Sequence, residues 1–325
     1  MDYKTILLGI IGDSAAGKTT LTRGIVELLG QENVTAICSD DYHKYNRKQR
    51  KEYGITALNP ACNYIDIMEQ HFLALKRGKP ILKPNYNHST GDFDPPTYIK
   101  PKRFVIIEGL LGAHTQKLRD LLDVIVYLDP PESLRAEWKV QRDTAKRGYT
   151  REQVLAALKA REEDSEAYIR TQKKYADFIV RFYPKRKKTS DARLNAKIAM
   201  NPAQPSEEFN EIIETITKAF EGYPCEREGG IPCLSISLEK WHGQPMEILD
   251  IHGEIGEDMT EQLKTMLGEA LEKKNVYLNM DKVGLFIKED VPMLSFPLAL
   301  AQLTITYFLM QNLAKIAEEA KSTVS

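Results

Sequence analysis

The chain has 325 residues, of which 42% are hydrophobic and 28% charged, with a formal net charge of −1. That is globular composition, long enough for one large domain or two modest ones. Near-neutrality leaves no global field to draw the chain onto nucleic acid or an acidic membrane, so neither is expected as a partner. Any anion site must be a local concentration of Lys and Arg.

KTILLGII at 4–11 is short, aliphatic and followed by glycine, which predicts a buried strand. A helix is predicted over 18–30, with Leu21, Ile25, Leu28 and Leu29 on one face. Between them GDSAAGKT fits G-x-x-x-x-G-K-[ST] in its required strand-to-helix setting. Gly12, Asp13, Ser14, Ala15, Ala16 and Gly17 form a loop whose N–H groups turn inward, at the positive end of a helix. Lys18 reaches the β- and γ-phosphates of a nucleoside triphosphate, Thr19 ligates Mg²⁺, and Thr20 extends the cradle. No N-K-x-D element for guanine follows, which weighs against a GTPase switch.

VTAICS at 34–39 is the next strand, and SDDYHKYNR follows it. In an open parallel sheet, residues after a strand's C-terminal end face the ligand crevice. Asp40 is placed to take a hydroxyl proton, with Asp41 as a competitor and His43 and Arg47 as donors four residues apart. A solvated polar loop is the plainer alternative. A helix near 64–77 leads to an irregular stretch, KPNYNHSTGDFDPPTY, at 83–98, which holds Tyr86 and His88. RFVIIEG at 103–109 ends in Glu108, either a Walker-B type acid for Mg²⁺ or a cap for the next turn.

DVIVYLD at 123–129 is a fourth strand, followed by a charged helix to about Arg147. Gly148 suits its C′ position, and Thr150 with Gln153 makes a capping box for a helix expected to reach Tyr175. Lys139, Arg142, Asp143 and Lys146 share one helical face with Arg147 at its margin. That face is either a solvent-exposed set of weak ion pairs or an anion clamp with one organising carboxylate. DFIVRFY at 177–183 is a further strand, and basic and loop-like segments then place a soft boundary near 205. Residues 1–205 read as a P-loop α/β domain with a mostly parallel sheet flanked by helices. Residues 206–325 read as a smaller α/β portion, with strands near 231–238, 246–252 and 276–287 and helices near 258–274 and 298–320.

Residues 295–314 carry no charge, but Pro297, Gln302, Thr304, Thr306, Gln311 and Asn312 dilute them, so a buried helix is expected and not a membrane span. Cys38, Cys62, Cys225 and Cys233 form no CxxC pair, and no secretory n-region opens the chain. A cytoplasmic protein with reduced thiols is expected.

From Lys139 to Glu152 the chain carries Lys139, Val140, Arg142, Asp143, Arg147, Gly148, Thr150 and Glu152, all the constrained positions of one family's signature. With GDSAAGKTT, SDDYHKYNR, KPNYNHSTG and IIEGLLG, the region from about 5 to 180 closely resembles the phosphoribulokinase family, its archaeal form more than its chloroplast form. The resemblance implies ATP-dependent phosphorylation of the 1-hydroxyl of ribulose 5-phosphate in a carbon-fixation or sugar-phosphate cycle, by a homodimer. It implies Asp40 as catalytic base with Lys18 and Asp143 catalytic. His43, Arg47, Tyr86, His88, Lys139, Arg142 and Arg147 then become substrate contacts, and Thr19, Glu108 and Asp143 the metal-associated groups. Plant members carry a redox cysteine in the loop where this chain has Ala15 and Ala16, so thioredoxin-type regulation is not implied. The rival readings are a uridine kinase-like nucleoside kinase and a non-catalytic nucleotide switch.

Overall fold

The structure of the protein is a computed structural model that describes residues 5–185, 194–201, 211, 214, 216–218, 233–241, 243–253, 255, 257–272, 278–288 and 291–322. Contacts divide the chain into two compact units. One comprises Met1–Lys18 with Glu32–Ala176, the other Thr19–Gln31 with Asp177–Ser325. The boundary expected near 205 lies outside the described residues.

The first unit is built on four parallel strands, β1 (Ile6–Gly12), β2 (Val34–Cys38), β5 (Phe104–Gly109) and β6 (Val124–Leu128), in the order β2-β5-β1-β6. β1 and β6 are buried along their whole length, as parallel strands covered on both faces must be. Because the strands are parallel, the segments that follow them emerge at one edge: the loop after β1, a 3₁₀ turn at Ser39–Tyr42 after β2, and residues 110–115 after β5. α2 (Arg47–Glu52) begins at an Asn46/Gln49 capping box, and α3 (Ile65–Lys76) buries Met68, Phe72 and Leu75. α4 (Gln116–Leu121) precedes β6. α5 (Glu132–Arg147) ends at Gly148, left-handed with φ 71, and α6 (Arg151–Lys159) starts from the Thr150/Gln153 capping box, both as the sequence suggests.

The second unit pairs β7 (Phe178–Tyr183), β8 (Asn195–Met200), β9 (Leu234–Trp241) and β10 (Gln244–Ile251) antiparallel, in the order β7-β8-β10-β9. From Thr19 onward α1 (Lys18–Leu29) belongs here. The C-terminal helix Phe296–Ser322 braces it: the Gln302 amide accepts from Gly284 N at 2.8 Å and donates to Thr20 O at 3.4 Å. Among the described residues, no helix is long and apolar enough to cross a membrane. Residues Phe296–Leu309 of this helix are buried, as expected of the uncharged stretch.

Several local expectations need correction. The stretch 83–98 is not irregular but a hairpin, β3 (Ile81–Asn87) against β4 (Asp92–Ile99). Its register shifts between Lys83 and Asn85, where Pro84 faces the Pro95–Pro96 pair, so residues without an N–H sit where the ladder is broken. The helix expected to reach Tyr175 stops at Lys159. A short turn at Glu162–Asp164, a π turn at Ser165–Ile169 and a 3₁₀ turn at Arg170–Tyr175 replace it. β8 was not anticipated. Of the strand expected at 276–287, residues 276–277 lie outside the described residues, 281–284 form a turn, and the strand β11 covers Leu285–Lys288, paired with β12 (Val291–Leu294). Cys38 and Cys62 are free thiols, but Cys233 is disulfide-bonded, which corrects the expectation of reduced thiols throughout.

Candidate active site

The loop after β1 curls tightly between strand and helix. Gly12 has φ +154 and a Cβ there would meet Leu128 O at 2.8 Å; Ala15, at φ 68, turns the backbone left-handed. Lys18 Nζ donates to the carbonyls of Gly12 (2.8 Å) and Asp13 (2.9 Å), which folds the ammonium over the loop mouth. The loop is held from outside. Arg135 donates to Ser14 O (3.0 Å), Arg142 to Ser14 Oγ (3.1 Å), and Ser165 to Asp13 Oδ2 (2.6 Å), with Arg170 3.5 Å from the same oxygen. These groups fix the loop before any phosphate arrives, so less ordering is left for binding. Thr19 and Thr20 open α1 directly after Lys18.

The two adjacent acids after β2 have different surroundings. Asp41 is buried, ion-paired with buried Lys83 and accepting from Tyr86 N at 3.2 Å, so it anchors the hairpin. Asp40 Oδ1 accepts one hydrogen bond, from Leu110 N at 3.0 Å, and the carboxylate lines a cavity. Gly109 makes room for this turn, because a Cβ there would sit 1.9 Å from Ser39 Oγ and 2.9 Å from Asp40 Oδ1. His43 is buried with Nδ1 2.7 Å from Asn63 Oδ1, and its ring meets Tyr86 edge-on at 4.9 Å. Burial lowers its pKa to about 4, against the opposing pull of Asp40, so the ring is neutral at physiological pH. Arg47 donates to His88 O at 2.6 Å, and burial lowers the pKa of the His88 ring as well.

On α5, Asp143 is 4% exposed and surrounded by cations. Lys139 Nζ lies 3.0 Å from Oδ2, while Arg142 Nε (2.9 Å) and Arg147 (3.4 Å) share Oδ1. Burial pushes the carboxyl up, but the Arg142 and Lys139 bonds outweigh it and hold Asp143 below the usual range. Burial, then the nearby Arg161, brings Lys139 down to about 8 despite Asp143. The exposed-face alternative for this helix therefore does not hold for Lys139 and Asp143.

These groups meet at a cavity of about 290 Å³. Its walls carry Asp40, His43, Arg47, Tyr86, His88, Lys139, Asp143 and Arg147, and the loop's Ser14. Arg142 is not among the lining residues; it spans from Asp143 to the loop at Ser14. Two further arginines line the cavity that sequence reasoning missed. Arg50 bonds Tyr86 Oη at 2.5 Å, and the Arg161 side chain makes no hydrogen bond or ion pair among the described residues. Burial lowers the Arg161 pKa. The available signal was spacing: Arg161 follows Ala157 by four residues and Val154 by seven, although α6 ends before it, and Arg50 lies one turn past Arg47. Five cations thus face two carboxylates across the cavity.

The metal candidates differ in their fit. Glu108 stands next to last in β5, beside Ile10 of β1 and Cys38 of β2, and Thr19 is the second residue of α1. A carboxylate at the end of β5 suits Mg²⁺, which takes few protein ligands and completes its shell with phosphates and water. Both oxygens of Asp143 are engaged by Lys139 and the arginines, which suits an organiser of cations better than a metal ligand.

Comparison with known proteins gives consistent relatives. The sequence profile of the phosphoribulokinase / uridine kinase family matches residues 7–189. A phosphoribulokinase of Synechocystis sp. is 39% identical over 246 residues, covering 74% of this chain and 72% of the relative. A chloroplastic phosphoribulokinase of Mesembryanthemum crystallinum is 40% identical over 200 residues, 56% of this chain, and the match spans 50% of that relative. Among solved structures, phosphoribulokinase from Rhodobacter spheroides superposes with TM-score 0.56 at 17% identity, over 84% of this chain and 99% of that one, a likeness of fold.

Proposed function

The chain belongs to the phosphoribulokinase / uridine kinase family, and from that premise we propose that it transfers the γ-phosphoryl of ATP to the 1-hydroxyl of ribulose 5-phosphate, giving ribulose 1,5-bisphosphate. The observation that carries this reading is the excess of cations over carboxylates around the cavity beside the loop. A neutral nucleoside acceptor has no need of Arg47, Arg50, Lys139, Arg147 and Arg161 together. An acceptor that already bears a phosphate does, because two anionic groups must be brought close against their repulsion.

Roles follow from surroundings. Asp40 takes the proton of the attacking hydroxyl as its oxygen bonds to the γ-phosphorus and the bond to the ADP oxygen breaks. Lys18, freed from its loop carbonyls, follows the negative charge onto the phosphoryl and leaving-group oxygens. Arg142, which bonds both Ser14 and Asp143, sits between donor loop and acceptor cavity and serves the transferring group. Arg47, Lys139 and Arg147 grip the sugar phosphate, with His43, Tyr86 and His88 around the sugar. Within the first unit, Glu108 would hold Mg²⁺ bound with ATP, and the ion would supply charge compensation at the phosphate oxygens. The proposal extends to a cytoplasmic homodimer, which light scattering and fractionation check.

The deciding experiment is a coupled ATP-consumption assay on purified protein with ribulose 5-phosphate or uridine as acceptor. Turnover with the pentose ester and none with uridine is expected. Comparable turnover with uridine supports a nucleoside kinase, and slow hydrolysis independent of either supports a nucleotide switch.

A further inference from the structure

His43 and Asn63 are each 2% exposed and joined by a backbone bridge, with Lys44 N bonded to Cys62 O and Tyr64 N to Tyr42 O at 2.8 Å on either side. The Asn63 amide nitrogen lies 2.9 Å from Asn59 O and 3.2 Å from Ala57 O. Carbonyl oxygens only accept, so the NH₂ group must face them and Oδ1 must face His43. That oxygen only accepts in turn, and it lies 2.7 Å from His43 Nδ1, so Nδ1 carries the proton. Nε2 is then a bare lone pair on a ring that lines the cavity, with no hydrogen-bond partner among the described residues.

We infer that Asn63 is a positioning residue that holds His43 as the Nδ1–H tautomer, so that Nε2 accepts a hydrogen bond from a hydroxyl of the sugar phosphate and does not serve its phosphate. The inference rests on the sugar-kinase reading above and deepens it: His43 discriminates by hydroxyl, the arginines by charge. The depressed basicity of the buried ring is consistent with this division, because a neutral imidazole gives no electrostatic grip on a phosphate. Around His43 stand Asp40, Arg50 and His88, and the cavity's other cations are Arg47, Lys139 and Arg147 with Arg161. Phosphate therefore has better partners elsewhere in the same cavity.

Two measurements on the full chain test this. Imidazole ¹⁵N correlation spectra of the wild type, with His43 assigned by its loss in His43→Ala, should report the Nδ1–H tautomer, neutral from pH 8 down to about pH 5. A proton on Nε2 in that range overturns the inference. The second is a cycle with Asn63→Leu and His43→Ala, each checked by thermal melting. Asn63→Leu should raise the KM for ribulose 5-phosphate about tenfold with kcat changed less than about twofold, as expected for one lost hydrogen bond. Adding it to His43→Ala should cost nothing further, because a residue acting through another has no effect without it. Effects that multiply overturn the inference and leave Asn63 a purely structural residue. Absence of any turnover of ribulose 5-phosphate by the wild type refutes the sugar-kinase reading instead, while the spectra still decide the tautomer.

Discussion

Lys139 gives the site a pH dependence that can be worked out in advance. The residue is 4% exposed, and burial with the neighbouring Arg161 lowers its pKa from 10.5 to about 8. If that charge holds the phosphate of the acceptor, the deprotonated enzyme must regain a proton to bind. The apparent KM then scales as one plus ten to the power of pH minus pKa, about twofold at pH 8 and about tenfold at pH 9. Unfolding does not mimic this limb. The charged form is disfavoured in the fold, so raising pH from about 8 toward the ordinary value relieves a cost of about 3 kcal/mol and stabilises the protein in that window. Lys139→Arg, whose guanidinium does not titrate there, should abolish the limb at low KM, and Lys139→Met should abolish it at high KM. The assay is ADP release coupled to NADH oxidation between pH 6.5 and about 9.5, with ribulose 5-phosphate varied at saturating ATP and the KM for ATP as control. A wild-type KM that stays flat across this range, or a limb that survives in Lys139→Arg, refutes the reasoning.

Asp40→Asn should lower kcat by roughly 10²–10⁴ while leaving ATP affinity, read by nucleotide titration, nearly unchanged; near-full turnover would remove Asp40 from the role of base. Arg161→Gln should raise the sugar-phosphate KM by roughly 10- to 100-fold, the worth of a charged hydrogen bond. Since the Arg161 side chain makes no hydrogen bond or ion pair among the described residues, the variant's melting temperature should hold or rise, and a clear loss of stability would mean that Arg161 is structural. Asp143→Asn should destabilise the fold by about 3–5 kcal/mol in denaturant titration, because it leaves buried Lys139 without its counter-charge. The pH effect has a definite sign: with the Asp143 pKa held below its ordinary value, its stabilisation is present above about pH 4 and is lost as pH falls through the folded value.

How much was legible in the sequence depended on how local the determining physics is. The loop at 12–19 declares itself because its chemistry needs glycines, a lysine and a hydroxyl at fixed spacing on consecutive residues. The cap at Thr150 and the stop at Gly148 are equally local, and both stand in the structure. The choice between Asp40 and Asp41 was not local: it turns on Lys83 and Tyr86, some forty residues away, which claim Asp41. Arg50 and Arg161 are only weakly marked: their spacing from Arg47 and from Ala157 is local, but the cavity that gives the spacing meaning is assembled from distant segments. The hairpin at 81–99 was hidden by Pro84, Pro95 and Pro96, which read as breakers in sequence and sit together at one fault in the ladder. Helix periodicity carried the reading past Lys159, where Ser165 turns to bond Asp13 and the regular helix gives way.

The arrangement around Asp143 also explains why an anion site would contain a buried acid at all. A pocket built for a phosphate must assemble cations before the phosphate comes, and those cations repel one another. Two unit charges 4 Å apart in a partly screened protein environment interact by about 4 kcal/mol, so an uncompensated cluster of three would threaten the fold. Asp143 holds Lys139, Arg142 and Arg147 within 3.4 Å of one carboxylate and so keeps the cluster assembled without substrate. The Arg161 side chain has no ion-pair partner among the described residues, Asp143 acting on it only at longer range, so its charge is available on the cavity wall. The same logic links the two halves of the reaction. Arg142 bonds Asp143 with one nitrogen and Ser14 of the loop after β1 with another, so any displacement of that loop by a bound nucleotide would reach the carboxylate that holds the cavity's cations. Ser14→Ala, which removes only the hydroxyl side of that tie, should therefore weaken the effect of bound nucleotide on sugar-phosphate affinity while leaving nucleotide affinity itself close to wild type. Equal coupling in Ser14→Ala and wild type, measured by titrating the sugar phosphate with and without a non-hydrolysable ATP analogue, would break the link.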